Sequence, residues 1–372
     1  MSEHGTGRTA TTTPTPPPTT RTATPAEFAT KLGRVRELLT ARGEHAIALA
    51  TRESLSWLLC GARVTVPTNG DPVLSVLVDA HEVTVHVLAN ETDRIVSEEL
   101  TGLGGFALVE HPWFEPLPGT ASRPVPGAIA EHSVAPELRS MRATLLAVEV
   151  ARYRSLGADV AAAVTAVARA ARRADTERRL ASDLSRAVVA TGAEPIVTLV
   201  AGQSRLDLRH PLPTGAPIGD RLMLVVGARR DGLIVNLTRW VGDEPGAAEA
   251  DARLREVEAT AFAATTPGRP LSAVLADIAA SYEAHGFSAD EWMRHHQGGP
   301  TGYAGRDPRA TPATADRVRD GQAFAWNPSV PRGKVEDTVV ITGGVTDVLT
   351  ADPDWPTVVV GGLARPIALP FS

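Results

Sequence analysis

Apolar side chains in the first third of the chain recur at two spacings, and each spacing predicts an element. Phe28, Leu32, Val35, Leu38 and Leu39 fall on one face of a helix that Gly43 ends. Ala46 to Ala50 reads as a short buried strand, and Ser54 to Leu59 as a helical turn. Val73 to Val78 and Val83 to Leu88 are β-rich runs on either side of Asp79-Ala80-His81-Glu82, a hairpin-like pair. Helices and strands alternate over about 110 residues, the pattern of a small α/β domain. Near its far end, Pro118 to Pro126 reads as a loop or linker.

The second half opens on a helix, Tyr153 to Arg173, with Leu156, Val160, Val164 and Val167 on one face. Thr176 is a candidate N-cap for the next helix. Strands are expected at Ile196–Val200, Leu222–Val226 and Leu233–Leu237, then helices at Ala248–Thr265 and Leu271–His285. The end turns to strands again, at Gln322–Trp326, Thr338–Thr342 and Thr357–Val360. Grouped helices flanked by grouped strands argue for α+β rather than a doubly wound sheet. No internal repeat of solenoid length is visible.

Composition changes this picture at one place. Ala10 to Pro25 is dominated by Thr and Pro, with almost nothing apolar to offset the entropy of ordering, so residues 1–25 are expected to form a disordered tail. The stretch has no apolar core of the secretory type. A net charge of -6 gives no electrostatic reason to expect nucleic acid or an anionic membrane as partner. The single cysteine, Cys60, rules out an intrachain disulfide and fits a reducing cytoplasm; within Trp57-Leu58-Leu59-Cys60 it reads as core.

Four segments carry chemistry. The first is Pro195 to Gly202 followed by Arg209-His210-Pro211, and the second is Gly219 to Ala228 followed by Asn236-Leu237-Thr238-Arg239. The third is His295-His296-Gln297-Gly298-Gly299, and the fourth comprises Phe324 to Pro328 and Val335 to Val340. In order and interval they resemble the motifs of the creatinase/aminopeptidase P, or pita-bread, family. The resemblance covers about Ala26 to the C-terminus. It implies an α/β N-terminal domain (26–140) plus an α+β C-terminal pita-bread domain (141–372) of the creatinase/methionine aminopeptidase type.

Metal-dependent members of that family hold two metal ions with two aspartates, a histidine and two glutamates. In this chain the aspartate positions align with Val225 and Asn236, the histidine with His296, and the glutamates with Asn327 and Glu336. Valine offers no lone pair, and an amide keeps an oxygen but loses the charge. One carboxylate and one imidazole do not hold two cations, so no metal and no cofactor are expected. The pattern is similar to creatinase itself, which keeps the fold without metal and uses a histidine at the position resembling His210.

The resemblance therefore implies His210, His296 and Glu336 as catalytic residues. A histidine near neutral pKa can move a proton at physiological pH, and a desolvated Glu336 would serve as partner or second base. Asn236, Asn327, Arg239, Tyr303, Arg306 and Asp307 are the candidate substrate-binding residues, the last three in a glycine-rich loop. Each has a plainer reading. His210 before a proline suits a structural loop, Asn327-Pro328 suits a turn, and Arg239 suits support of the fold.

The leading expectation is a metal-independent cytoplasmic hydrolase acting on a C–N bond, or an eliminable bond, of a small-molecule or short-peptide substrate. The alternatives are a metal-dependent Xaa-Pro dipeptidase with an altered site, and a non-catalytic binding module. By analogy the chain is expected to be a homodimer in which Arg52 or Arg63 reaches the partner's site.

Overall fold

The computed structural model describes residues 23–371. Up to residue 22, the stretch expected to be a disordered tail lies outside the described residues. Helix α1 (Pro25–Arg42) starts where the Thr24 hydroxyl accepts the Glu27 backbone N–H at 3.1 Å and ends at Gly43, whose φ of 67° suits a residue without Cβ. There follow β1 (Ala46–Leu49), α2 (Arg52–Leu58), β2 (Leu74–Asp79), β3 (Val83–Leu88), the single turn α3 (Thr92–Arg94), β4 (Ala107–His111) and β5 (Ala128–Ala130). The strands form one sheet in the order β4-β3-β2-β1-β5. The expected hairpin is present, with Val78 opposite Val83.

The Pro-rich segment is a loop inside this sheet rather than a linker beyond it. It runs between β4 and β5, and Ser75 donates to the Pro118 carbonyl at 2.6 Å. At Gly119 (φ 87°) a Cβ would lie 2.6 Å from the Ala48 methyl, so the loop is packed onto β1.

Helices α4 (Ala135–Ala143), α5 (Ala147–Ala170) and α6 (Glu177–Ala190) come next. A division at residue 140 would cut α4; we propose that the two halves part at 144–146, between α4 and α5. Strands β6 (Glu194–Gly202), β7 (Arg221–Arg230) and β8 (Leu233–Gly242) form an antiparallel meander, followed by α7 (Ala247–Ala264) and α8 (Leu271–Ala284). The last strands are β9 (Gly298–Thr301), β10 (Gln322–Trp326), β11 (Ser329–Val330), β12 (Gly333–Lys334), β13 (Asp337–Thr342), β14 (Val345–Val348), β15 (Thr357–Val360) and β16 (Leu363–Pro366). A second sheet runs β14-β13-β10-β9.

One apolar core runs from α1 and the five-stranded sheet through α5 and α6 to β6–β8. A separate core lies between α7, α8 and strands β10 and β13. The two sheets of the C-terminal half are joined by hydrogen bonds between β8 and the start of β13. Thr238 N–H donates to the Glu336 carbonyl at 2.9 Å, and the Thr338 hydroxyl lies 2.7 Å from Asn236 N and 3.0 Å from Asn236 O. Those bonds bring β8 and the start of β13 together, and Glu336 stands at the seam.

Candidate active site

The seam residues come from the segments that carried the sequence signal. Asn236 lies on β8 opposite Gly227 on β7, where a Cβ would come within 3.2 Å of the Asn236 amide oxygen. Asn236 is 9 % exposed and its amide nitrogen has no hydrogen-bond partner; buried Asn327 likewise leaves its amide oxygen unpartnered. Val225 sits in a small apolar cluster with Leu199, Ala201, Leu206, Met223 and Trp240. Val225 is thus surrounded by hydrocarbon and offers no donor atom of its own.

Glu336 is buried and saturated. Arg306 donates to one carboxylate oxygen at 2.7 Å, and Lys334 lies 3.3 Å from the other, which the Thr238 hydroxyl also approaches at 3.3 Å. Burial raises its pKa, but Lys334 and Arg306 more than reverse that, so the group is held below the ordinary carboxylate range. Glu336 is therefore an anion spent on two cations, poorly suited to the role of base expected for it. Lys334, 5 % exposed, has its own pKa lowered by burial, with Glu336 opposing.

Three imidazoles gather beside this pair. His295 Nε2 and His210 Nε2 are 3.0 Å apart, and the His295 and His296 rings stack with centroids 4.4 Å apart. His210 is exposed, His296 half-buried and His295 buried. All three pKa values are lowered. Burial is the first cause throughout, followed by Lys334 for His295, brought to about 2, and by Arg306, Arg309 and Lys334 for His296, brought to about 3. His210 is lowered by burial and Lys334, with Glu336 opposing.

The donor set does not fit the family's two-metal centre: the carboxylates needed to neutralise two dications are reduced to one, and that one is neutralised by protein. One nitrogen from each of the three histidines lies within 4.8 Å of the others, a sufficient number of donors for a single ion. The charges around them oppose it, since the ionised groups acting on them are the cations Lys334, Arg306, Arg309 and Arg209 and the single carboxylate Glu336, already paired with two of those cations. A dication here would face like charge with no unpaired carboxylate.

Three expected substrate contacts are placed elsewhere. Arg239, 3 % exposed, is bound to Asp337 at 2.9 Å and to the Thr350 carbonyl at 2.7 Å. Tyr303 is buried, its hydroxyl donating to Glu149 at 2.6 Å and accepting from Lys31 at 3.2 Å. Asp307 clamps Arg142 of α4 at 2.9 Å. All three fix the loop and strands that carry Arg306 and Glu336; their long or charged side chains are used inward because the interior supplies partners of opposite charge. Arg52 and Arg63 pair within the chain, with Glu53 and with Glu98 and Glu99.

The sequence reading passed over three residues. His295 was set aside as a neighbour of His296. Lys334 had a signal, as the only cation two positions before the surviving glutamate in a strand pair. Arg309 is exposed, its guanidinium has no partner among the described residues, and its charge reaches both His210 and His296.

Two joined sheets with helices α5 to α8 around them, preceded by a smaller α/β half, make the pita-bread architecture with its site on the sheets. The chain belongs to metallopeptidase family M24, whose profile matches residues 151–343. It is similar to the prolidase of Pyrococcus horikoshii OT3 (TM-score 0.70, 19 % identity, 87 % of this chain and 98 % of that one). It is also similar to dipeptidase PepE from Mycobacterium ulcerans (0.71, 18 %, 93 % and 98 %). The N-terminal domain of FACT complex subunit SPT16 from Cicer arietinum matches with a TM-score of 0.63 at 14 % identity, over 88 % of this chain and 96 % of that one. No curated protein sequence matches. Among the described residues, no helix is long and apolar enough to cross a membrane.

Proposed function

We propose that the chain is an M24-type hydrolase that cleaves a C–N bond of a small, carboxylate-bearing substrate without the family's two-metal centre. The observation that carries this reading is the Glu336 carboxylate, with Arg306 and Lys334 on its two oxygens. Protein cations occupy the surroundings in which relatives hold metal, and they supply positive charge next to a reacting carbonyl. Arg309, exposed and without an internal partner, suits the substrate carboxylate. Leu208, Leu212 and Met293, exposed around His210 and the turn before His295, offer an apolar rim to the rest of a dipeptide-like molecule.

His210 carries the proton. Held neutral by burial and by Lys334, its imidazole accepts a proton from the attacking water and returns it to the departing nitrogen. His296 Nδ1, Asn236 Nδ2 and Asn327 Oδ1 are buried polar atoms without a hydrogen-bond partner, and we assign them to substrate. The names of similar structures, a prolidase and a dipeptidase among them, support peptide-like compounds as the first substrates to try.

The test is turnover of Xaa-Pro dipeptides and small amides or amidines by chelator-treated protein, with His210→Ala alongside. Activity that survives chelation and is lost in His210→Ala supports the reading. Activity that appears only with added manganese and survives His210→Ala overturns it. A second reading, a ligand-binding module without turnover, is favoured by the likeness to a domain of a complex subunit. Tight binding of a dipeptide with no product formed would decide for it.

A further inference from the structure

Resting on His210 as the proton carrier, we propose that its working atom is Nδ1, and that His295 is the positioning residue that imposes this. His210 Nε2 lies 3.0 Å from His295 Nε2, a hydrogen-bond distance; in the tautomer the proposal requires, His210 donates its Nε2 proton to the bare His295 Nε2, so its own Nδ1 is the unprotonated nitrogen and the Nε2 edge of the ring is closed to substrate. An imidazole has two nitrogens, and the remaining one is Nδ1. His210 is exposed, so Nδ1 has access to water and ligand.

His295 is built to hold its partner. It is 7 % exposed, and its ring is stacked on that of His296. Its backbone carbonyl accepts from the Gln297 amide at 2.8 Å, and the Gln297 amide oxygen in turn accepts from the Tyr282 hydroxyl at 2.8 Å. The chain therefore runs from a core tyrosine to the exposed reacting histidine. A ring free to turn about χ2 would offer either nitrogen; a ring pinned at Nε2 offers one, in one direction. Orientation of this kind is worth on the order of 100-fold in rate.

The direct test is nitrogen NMR of the full chain labelled at histidine. The expected result is a scalar coupling between the Nε2 nuclei of His210 and His295 across the shared proton, present without any substrate and lost in His295→Leu. Absence of that coupling in the unaltered protein, with both Nε2 positions exchanging with water, overturns the proposal. Because this readout needs no turnover, it can fail while the hydrolase reading stands, and the reverse. In kinetics, His295→Leu is expected to lower kcat on the order of 100-fold with KM little changed. His295→Gln, whose amide reaches the same place as Nε2, is expected to restore most of it. An unchanged kcat in His295→Leu also overturns the proposal.

Discussion

Two of the buried ion networks among the described residues differ in how their charges balance. In the first, between α1 and α5, Glu27 and Glu149 face Lys31 and Arg152. Lys31 lies 2.7 Å from Glu27 and 2.8 Å from Glu149, Arg152 lies 2.6 Å from Glu27, and Tyr303 caps Glu149. Two anions meet two cations, and Lys31 spends a further donor on the Trp57 carbonyl. In the second, around Glu336, one anion meets two cations, a third cation, Arg309, has no partner among the described residues, and three neutral imidazoles lie alongside. Among the described residues the first network leaves Arg152 Nε unpartnered, with Trp57 Nε1 beside it; the second leaves Arg306 Nε and has His295 Nδ1, His296 Nδ1, Asn236 Nδ2 and Asn327 Oδ1 unpartnered in the same segments. A closed network holds elements together. An open one, with surplus charge and unspent polar atoms, is prepared for a molecule that is not part of the chain.

The largest effect should come from breaking the closed network. Lys31→Met leaves two buried carboxylates with only Arg152, and unfolding in urea should show a loss of roughly 3–5 kcal/mol. The folded fraction should turn over substrate at the unaltered rate. Glu336→Gln should do the opposite. Lys334 can shed its proton to relieve the imbalance, so stability should fall less, while kcat should fall at least on the order of 100-fold because the cations lose their anchor. A Glu336→Gln variant as unstable as Lys31→Met and fully active per folded molecule would erase the distinction between the networks.

Arg309→Ala should touch neither network's stability. With a carboxylate-bearing substrate its KM should rise roughly 10- to 100-fold, the worth of a hydrogen bond to a charged group, and with the corresponding C-terminal amide it should not change. The smallest effect, taken over a single unit of pH, is a slope in stability. His295 and His296 are held neutral in the fold, whereas the unfolded chain takes up their protons near 6.5. Below that value the unfolded state binds more protons, so stability is complete above about 6.5 and falls as pH drops toward 3, by roughly 1 kcal/mol per pH unit for each histidine. His295→Gln should flatten the slope; an unchanged slope would place the titrating groups elsewhere.

Much of this was legible in the chain. The hydrophobic periods located α1, the β2–β3 hairpin, α5, α7, α8 and β10, because each buries one continuous face. They missed β4 and β5. The first is an edge strand whose side chains are largely exposed, and the second has three residues, so neither shows the alternation a half-buried strand would. At the site, the positions of His210, Asn236, Asn327 and Glu336 could be read from motif spacing. The direction of Arg239, Tyr303 and Asp307 could not, because each is claimed by a partner distant in sequence: Asp337 and Thr350, Glu149, and Arg142. The same holds for the proposed replacement of metal by protein charge. Lys334 and Arg306 are 28 positions apart in the chain, and only the fold brings both to Glu336.

The central claim is that Arg306 and Lys334 stand in the place of the family's metals. Its most direct test is the rate of dipeptide hydrolysis by protein freed of metal with a chelator, measured before and after adding manganese or zinc. The expected result is one rate throughout, lowered at least on the order of 100-fold in Glu336→Gln. A rate that is negligible in the metal-free protein and rises in proportion to bound ion would contradict it.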